Sequence, residues 1–273
     1  MNSRAKFDFQ FQNKKVRVKT AWLSDIHLGF QDSKAELLLE YLEHLECETL
    51  YLVGDIVDFW SLKKRAYWPK SHAKVLSKLM DMAKQGVEVI YVPGNHDAPV
   101  RDYLGAFYDN VTVKLRDEFV LADGRRLLVT HGDELDHYVR VSKINETIGD
   151  WAYDFLLTMS RWTHKVRGLF GRPYWSLSSF VKVRIPQAAK AIRLFEHAAA
   201  QEAIRHGYDG VICGHLHVPE IKMLEGVLYC NDGDWIDSCS SLVESHEGEL
   251  RLLHWVEERT HYVANPEAQM SMA

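Results

Sequence analysis

The stretch "WLSDIHLG", residues 22–29, leads from an apolar segment into two side chains that commonly bind metals, Asp25 and His27. Residues two apart in an extended chain point to the same side, so this carboxylate and imidazole are able to face one ligand. An Asp-x-His triplet is common by chance, and it indicates a metal site only if other parts of the chain supply partners. The ends of the other predicted strands are therefore the place to look.

Short apolar runs rich in Val, Ile, Leu and Tyr predict buried strands. These runs are residues 16–24, 49–53, 87–92, 127–130 and 211–213. Apolar residues at spacings of three and four between them, in residues 37–45 and 75–83, are typical of amphipathic helices. Strands that alternate with helices indicate a sheet covered by helices, an α/β architecture.

The second half of the chain has a different pattern. Residues 111–115, 118–121, 221–230 and 250–255 predict strands joined by hairpins or short loops, which favours a mixed sheet or two sheets packed face to face. The stretch from about 139 to 200 is helical in pattern and is interrupted by "GLFGRPYW" and by Pro186. We interpret it as a helical cap inserted into a single domain of residues 1–273.

Composition favours an ordinary globular protein, since 47% of the 273 residues are hydrophobic and 26% are charged. The sequence contains no apolar run long enough to cross a bilayer, and its first residues lack the pattern of a secretory signal. We therefore expect the protein to be cytoplasmic. Its four cysteines form no CxxC pair, which favours reduced thiols over a disulfide framework.

Charge is distributed unevenly along the chain. Between Arg140 and Arg193, ten Lys and Arg face three acidic residues, so this window carries +7 while the whole chain carries -5. The basic residues alternate with Trp, Phe, Tyr and Leu, which favours a lid for an anionic lipid and peripheral contact with the inner face of a membrane. Cap helices packed on a core would have a similar pattern. Nucleic acid is not expected, because the chain is acidic overall.

Polar side chains that bind metals follow the predicted strands, next to glycines. They occur in "GDIVD", "GNHD", "HGD" and "GHLH", and with "DIH" they supply seven candidate ligands: Asp25, His27, Asp55, Asn95, His131, His215 and His217. Ligands of open sheets bind outside the carboxyl ends of strands, so these side chains can share one crevice. One buried His or Asp would be explained by backbone hydrogen bonding, but seven at five strand ends indicate a metal centre.

Oxygen and nitrogen ligands without thiolate suit Mn, Fe, Zn, Co or Ni. Seven ligands exceed what one tetrahedral ion uses, whereas two ions that share a carboxylate would use all of them. Two divalent ions bring more charge than two aspartates neutralise, so the centre would attract an anion such as phosphate. Ions roughly 3.5–4 Å apart clamp phosphate oxygens and lower the pKa of bound water towards about 7.

The ordered motifs "DIH", "GDIVD", "GNHD", "HGD" and "GHLH" resemble those of the calcineurin-like metallophosphoesterases, over about residues 18–257. This resemblance implies a layered α/β/β/α sandwich and two divalent ions, with Mn first among the candidates. Within that family, "SDIHLG", "GDIVDFW", the basic aromatic insert and "NDGDW" resemble the UDP-2,3-diacylglucosamine hydrolase group. Those enzymes split a lipid-bearing nucleotide sugar into UMP and an acylated sugar phosphate on the lipid A pathway.

The resemblance also implies a role for each motif residue. Asp25, His27 and His217 would hold one ion, Asn95, His131 and His215 the other, and Asp55 would bridge the two. A hydroxide between the ions would attack the phosphorus. His96 would face the leaving group as the catalytic residue, with Asp97 orienting its imidazole.

Several alternatives stay open at this stage. The hydrolase group typically has Arg at the position of His96, so a phosphoesterase for a soluble nucleotide or another phospholipid is a second hypothesis, and an inactive scaffold on the same fold is a third. Asp58 is either the partner of a metal-binding His or a helix cap. Asn231, Asp232 and Asp234 either line the pocket or form a turn.

Overall fold

The structure, a computed structural model, describes residues 15–136, 186–259 and 262. Most of the predicted cap falls on residues 139–185, which lie outside this set, so the cap and the extent of the single domain stay predictions. The described residues form two large β-sheets, with helices on both outer faces, and one short two-stranded pair.

A seven-stranded mixed sheet forms one layer of the fold. In spatial order its strands are β14 (Leu250–His254), β13 (Ser240–Glu244), β2 (Thr20–Leu23), β4 (Thr49–Val53), β5 (Glu88–Val92), β7 (Val111–Val113) and β6 (Phe107–Tyr108). The four strands β2, β4, β5 and β7 are parallel, while β13, β14 and β6 run antiparallel to their neighbours. The parallel strands place the loops that follow them at one edge of the sheet.

A five-stranded sheet forms the second layer. In spatial order it contains β11 (Glu220–Leu224), β12 (Val227–Asn231), β10 (Gly210–Cys213), β9 (Arg126–Val129) and β8 (Asp117–Val120). The predicted strand at 221–230 is a hairpin, because Glu225 and Gly226 both have positive φ and join β11 to β12 by a two-residue turn. A separate short pair is formed by β1 (Val16–Arg17) and β3 (Leu45–Glu46).

The helices cover the outer faces of both sheets. They are α1 (Ala35–His44), α2 (Phe59–Lys64), α3 (Lys70–Lys84), α4 (Pro186–Arg205) and α5 (Trp255–Glu258). Apolar residues of α1 and α3 pack on the seven-stranded sheet, and Phe195, Ala199 and Ala203 of α4 pack on the five-stranded sheet. Residues 186–200, the end of the predicted cap range, therefore belong to a helix that covers a sheet.

The two sheets pack face to face through a buried aromatic and aliphatic layer. Tyr51 and Val53 of β4 point into this layer, whereas Leu50 and Leu52 point to the helices, as the period of two in a strand requires. Trp22 stacks on Tyr51 and meets the ring edge of Phe119 from the other sheet at 4.8 Å between centroids. The layered α/β/β/α sandwich is confirmed.

Two smaller expectations concern cysteines and membrane spans. Cys47, Cys213, Cys230 and Cys239 are all unpaired thiols, as predicted. Among the described helices, none combines the length and the apolarity that crossing a bilayer requires.

Candidate metal centre

The loops after five strands bring the predicted ligands together. One ligand atom each of Asp25, His27 and His217 lies within 4.8 Å of the others, and Asp55, His131 and His215 form a second group by the same measure. The loops come from both sheets: β2 and β4 belong to one, and β9 and β10 to the other. The first group contains the three residues predicted for one ion, and the second contains His131 and His215 of the other set together with Asp55, the predicted bridge.

Five of the predicted ligands have a left-handed backbone. The φ angles of Asp25, His27, Asp55, His215 and His217 lie between 51° and 68°. Positive φ is uncommon for residues other than glycine and costs of order 1–3 kcal/mol each. Such residues persist only where the surrounding structure holds them, and they cluster at functional sites. The chain therefore carries local strain at the turns that present these side chains.

Asp55 lies between the two groups. Its Oδ2 is 3.4 Å from Nε2 of His131 and 3.7 Å from Nε2 of His27, one imidazole from each group. Its Oδ1 accepts a hydrogen bond of 2.8 Å from the backbone N–H of His96. This is the geometry expected of the predicted bridging carboxylate.

Asp25 joins the other two members of the first group. Its Oδ1 is 3.1 Å from Nε2 of His217 and 3.7 Å from Nε2 of His27. Its Oδ2 accepts hydrogen bonds from Ser24 Oγ and from the backbone N–H of His215. One carboxylate oxygen is thus held by the protein while the other faces the imidazoles.

In the second group, hydrogen bonds leave one ring nitrogen of each imidazole available. Nδ1 of His131 donates to the carbonyl of Val53 at 2.8 Å, which leaves Nε2 free. Nε2 of His215 pairs with Asp136 at 2.8 Å, which leaves Nδ1. A hydrogen bond to the second nitrogen fixes the tautomer and the ring orientation of a metal-binding histidine.

Gly94 allows the loop that carries Asn95 to approach the centre. A Cβ added at Gly94 would lie 2.3 Å from Oδ1 of Asp55 and 2.7 Å from Nε2 of His131. Atoms at those distances overlap, so a side chain at this position would displace the carboxylate or the imidazole. The glycine in "GNHD" is therefore a steric requirement of the centre.

Unpartnered buried atoms test whether these residues fit a cation. Within residues 15–136, 186–259 and 262, no hydrogen-bond partner faces Oδ1 of Asp25, Nε2 of His27, Oδ1 of Asn95 or Nε2 of His131, all of which are buried. A buried polar atom without a partner costs about 1–3 kcal/mol. All four atoms belong to residues that the predicted assignment gives to metals, two on each side of Asp55. The donor set therefore fits two divalent cations.

The charges of the groups agree with this arrangement. Burial alone would raise the pKa of Asp55, but His131 and His27 outweigh burial and lower it. Burial alone would lower the pKa of His27, but its contacts with Asp25 and Asp58 outweigh burial and raise it to about 10. Without metal, the carboxylates are ionised and the imidazole is protonated. A cation would take the place of that proton.

His96 belongs to neither of these two groups, but it forms a third one with His27 and Asp55 by the same measure. One of its ring nitrogens is within 4.8 Å of ligand atoms of His27 and Asp55. Its Nδ1 lies 3.0 Å from Oδ1 of Asp58, without the alignment of a hydrogen bond. Its imidazole is about one-quarter exposed. The side chain is therefore both held by the protein and accessible to a substrate.

The predicted role of Asp97 is corrected. Its carboxylate accepts hydrogen bonds from the backbone N–H groups of Gly94 and Ile56 and from the hydroxyl of Tyr91, and it is fully buried. It therefore closes the turn of "GNHD" on itself, as Asx side chains often do. The carboxylate beside the His96 imidazole is that of Asp58.

Asp58 fulfils both interpretations that the sequence left open. Its Oδ2 lies 3.2 Å from Nδ1 of His27, and its Oδ1 contacts His96. The same carboxylate accepts a hydrogen bond of 2.7 Å from the backbone N–H of Ser61 and thereby caps α2. Asp58 therefore positions the predicted ligand His27, the partly exposed imidazole of His96 and the start of α2.

A sequence profile of the calcineurin-like phosphoesterases matches residues 18–219, which include all seven predicted ligands, His96 and Asp58. The chain belongs to the calcineurin-like phosphoesterase family. It is thus a metal-dependent hydrolase of phosphoric esters. Phosphoesterases of this family use divalent metals, and the donor set described above is where this chain would hold them.

Curated relatives of this phosphoesterase are UDP-2,3-diacylglucosamine hydrolases. The relative from Xanthomonas campestris is 24% identical over 254 residues, which cover 84% of this chain and 96% of the relative. The relative from Haemophilus influenzae strain PittGG is 23% identical, over 83% of this chain and 94% of its own length. The relative from Porphyromonas gingivalis is 30% identical over 132 residues, 44% of this chain and 47% of the relative.

Two further carboxylates support predicted ligands of the phosphoesterase centre. Asp136 holds His215, but nothing in the sequence marks it. Ser24 Oγ lies within hydrogen-bond distance of Asp232 Oδ1, at 2.6 Å, and of Asp25 Oδ2, and burial raises the pKa of Asp232 well above its usual range. Asn231 and Asp234 do form the predicted turn, through backbone hydrogen bonds. "NDGDW" therefore supplies a turn and a support for a predicted ligand.

Proposed function

We propose that this phosphoesterase hydrolyses a diphosphate-linked nucleotide lipid, UDP-2,3-diacylglucosamine, to UMP and 2,3-diacylglucosamine 1-phosphate. The observation that carries the proposal is a donor set for two cations at the ends of five strands. Two curated relatives that align with most of this chain are named UDP-2,3-diacylglucosamine hydrolase. A diphosphate is a polyanion, and a centre with two cations and two aspartates attracts one.

Two divalent cations, with Mn first among the candidates, would supply an activated water molecule and a clamp for phosphate oxygens. The side chains of this protein do the rest. Asp25, His27 and His217 hold one side of the centre, Asn95, His131 and His215 hold the other, and Asp55 joins them. Since Asp25, His27, Asp55 and His131 are buried and fixed by hydrogen bonds, they require little rearrangement when a substrate arrives.

His96 acts on the substrate in this proposal. Asp58 lies beside its Nδ1 and favours a proton on that nitrogen. When the ring also carries a proton on Nε2, that N–H would donate to the departing phosphate oxygen. The ring of Trp60 packs on the imidazole with 4.2 Å between centroids and limits its rotation. The leaving group is one of the two phosphate monoesters, so a donor at this position lowers the charge that develops on it.

The basic aromatic segment predicted as a cap completes the proposal. It would cover the acyl chains and make peripheral contact with the inner face of the membrane. Its residues lie outside the described ranges, so this part of the proposal depends on the sequence alone.

The direct test is release of UMP by the purified protein with Mn. We expect hydrolysis of UDP-2,3-diacylglucosamine with kcat/KM at least about 100-fold above that for the unacylated nucleotide sugar, since each 1.4 kcal/mol of acyl-chain binding is worth tenfold. The Asp55→Ala protein, prepared in the same way, is the control for contaminating hydrolases. Absence of UMP from the acylated substrate would remove the proposal.

A second candidate function has one observation in its favour. His96 stands where the lipid A hydrolases typically have Arg, and this difference lies beside the predicted leaving group. A soluble nucleotide or another phospholipid turned over faster than any acylated nucleotide sugar would support this alternative. The His96→Arg variant adds a comparison, because a shift of preference towards the acylated nucleotide sugar would link this position to substrate choice.

A further inference from the structure

Residues 59–80 contain six Lys and Arg and no acidic residue, although the chain as a whole is acidic. Lys63, Lys64, Arg65 and Lys70 are all exposed, and within the described ranges none of them forms an ion pair. Unpaired cations of this density repel one another, and the described contacts do not offset this cost. They therefore favour an anionic partner.

Helix α3 adds to this excess of positive charge. Lys70, Lys74 and Lys78 are spaced four residues apart on α3 and so share one face. Like charges at this spacing destabilise a helix. Val75 and Leu79 lie on the buried face of α3, whereas Lys70 and Lys74 are exposed and Lys78 is half-buried.

Aromatic rings accompany these cations on the surface. Trp60, Tyr67 and Trp68 are 47%, 37% and 41% exposed. The rings of Tyr67 and Trp68 stand edge-on to the imidazole of His72, each with 5.6 Å between centroids. His72 is buried, and its Nδ1 accepts a hydrogen bond of 2.9 Å from the backbone N–H of Gly29. The rings of Tyr67 and Trp68 therefore pack on a fixed imidazole while part of each ring stays exposed to solvent.

These basic and aromatic residues of the segment 59–80 lie next to the metal centre. Trp60 contacts His96, and Gly29, which anchors His72, follows the predicted ligand His27 by two residues. Trp and Tyr concentrate at the boundary between the headgroups and the acyl chains of membranes, and clusters of Lys and Arg are attracted to anionic headgroups. The cations and the aromatic rings together match an anionic lipid bilayer.

We propose that Lys63, Lys64, Arg65 and Lys70, with Tyr67 and Trp68, form a docking surface for an anionic lipid bilayer, and that it places the metal centre at the membrane interface. The surface is distinct from the predicted cap, since it lies on α2, the following loop and α3. The proposal rests on the proposed function in one respect, because an acylated substrate is held in such a bilayer.

The test is co-sedimentation of the full chain with vesicles. Binding is expected to phosphatidylcholine vesicles that contain about one-third phosphatidylglycerol, to be weaker to phosphatidylcholine alone, and to fall with salt. The Lys63→Gln, Lys64→Gln, Arg65→Gln triple variant should lose on the order of 100-fold in partition coefficient, about fivefold per cation. Its hydrolysis of bis(4-nitrophenyl) phosphate in solution should be unchanged.

A matched pair controls for a general loss of charge. Lys64→Gln removes an exposed cation from the surface, and Lys84→Gln removes one from the far end of α3, on the order of 20 Å along the helix from Lys70. We expect weaker vesicle binding from the first only, and Trp68→Ala should weaken it as well. Because a single Lys→Gln exchange is mild, this comparison remains valid if the triple variant folds poorly.

Two outcomes would overturn the docking surface. Equal vesicle binding by the parent and by Lys64→Gln would exclude it, and tighter binding to duplex DNA than to anionic vesicles at the same salt concentration would reassign it to nucleic acid. Neither outcome depends on hydrolysis of the acylated substrate in detergent. A failure of the docking surface is therefore distinguishable from a failure of the proposed function.

Discussion

The backbone N–H of His96 donates a hydrogen bond of 2.8 Å to Oδ1 of Asp55. This bond fixes one oxygen of Asp55 and leaves Oδ2 facing an imidazole of each ligand group. It also ties the loop after β5 to the carboxylate between the groups. The backbone of His96 therefore supports the centre, whereas its side chain is free to act on a substrate, and substitutions at the two positions should have different effects.

The first prediction compares Asp55→Ala with His96→Ala. Asp55→Ala removes a ligand from both predicted ions, so bound metal should fall and activity should drop by at least about 10³-fold. His96→Ala keeps the backbone N–H and every predicted ligand, so the metal content should stay at the parent value while kcat falls by about 10²–10⁴-fold. Elemental analysis and steady-state kinetics on the same preparations measure both effects. Equal metal loss in the two variants would show that His96 is a ligand.

The second prediction concerns Asp58. Asp58→Asn weakens the contacts with His27 and with His96 together, so both metal affinity and kcat should fall by about 10–100-fold, the usual cost of losing a partner of a metal-binding histidine. Asn still accepts the hydrogen bond of Ser61, so the cap of α2 and the melting temperature should change little. In a double-mutant cycle with His96→Ala, the two losses in kcat should be less than additive. If the two losses in kcat were fully additive, Asp58 would not act through His96.

The third prediction uses the tight approach at Gly94. Gly94→Ala should lower metal content and activity together, because the added Cβ would overlap Oδ1 of Asp55 and the ring of His131. The control is Gly210→Ala, whose Cβ would lie 2.4 Å from the carbonyl of Leu228, away from the predicted ligands. That variant should lower the melting temperature while its folded fraction keeps its metal. Parent-level metal in Gly94→Ala would contradict the close packing of this loop.

The fourth prediction concerns the pH dependence of the metal-free protein. Against the effect of burial, contacts with Asp25 and Asp58 raise the pKa of His27 from 6.5 to about 10, so its stabilising contribution is full below pH 6.5 and disappears as pH rises to about 10. Against burial again, His217 and His27 hold the pKa of Asp25 below 3.8, so its contribution is present above about pH 4 and is lost in acid. Stability after chelation should therefore be greatest between about pH 4 and 6.5.

The measurement is thermal unfolding with and without metal across this pH range. Metal-loaded protein should not lose stability between pH 6.5 and about 10, because a metal replaces the proton on His27, and loading at neutral pH should release protons. Metal-free protein that becomes more stable over the same range would contradict the raised pKa of His27.

Much of the fold was predictable because its strands are buried on both faces and read as short apolar runs. Residues 49–53 are predicted and observed as one strand. The run at 16–24 is divided, since Val16–Arg17 pairs with β3 and only Thr20–Leu23 joins the large sheet. The strand Ser240–Glu244 escaped prediction because Ser240, Ser241 and Glu244 are polar yet buried. Tertiary packing, rather than pattern, decides such a strand.

The predicted ligands could be recognised because each follows a strand, and the parallel order of the strands brings their ends together. What the sequence could not give is the direction of a carboxylate after a turn. Asp97 is next to His96 in the chain, but the turn directs it to backbone donors, while Asp58, 38 residues earlier, reaches the imidazole. Asp136 and Asp232 lie behind predicted ligands for the same reason, through contacts between distant parts of the chain.

The most direct test of the metal centre is an X-ray data set from crystals grown with Mn, collected to record its anomalous scattering. We predict two peaks, one beside Asp25, His27 and His217 and one beside Asn95, His131 and His215, with Asp55 between them and the ions roughly 3.5–4 Å apart. A single peak, or peaks away from these seven side chains, would contradict the two-ion centre.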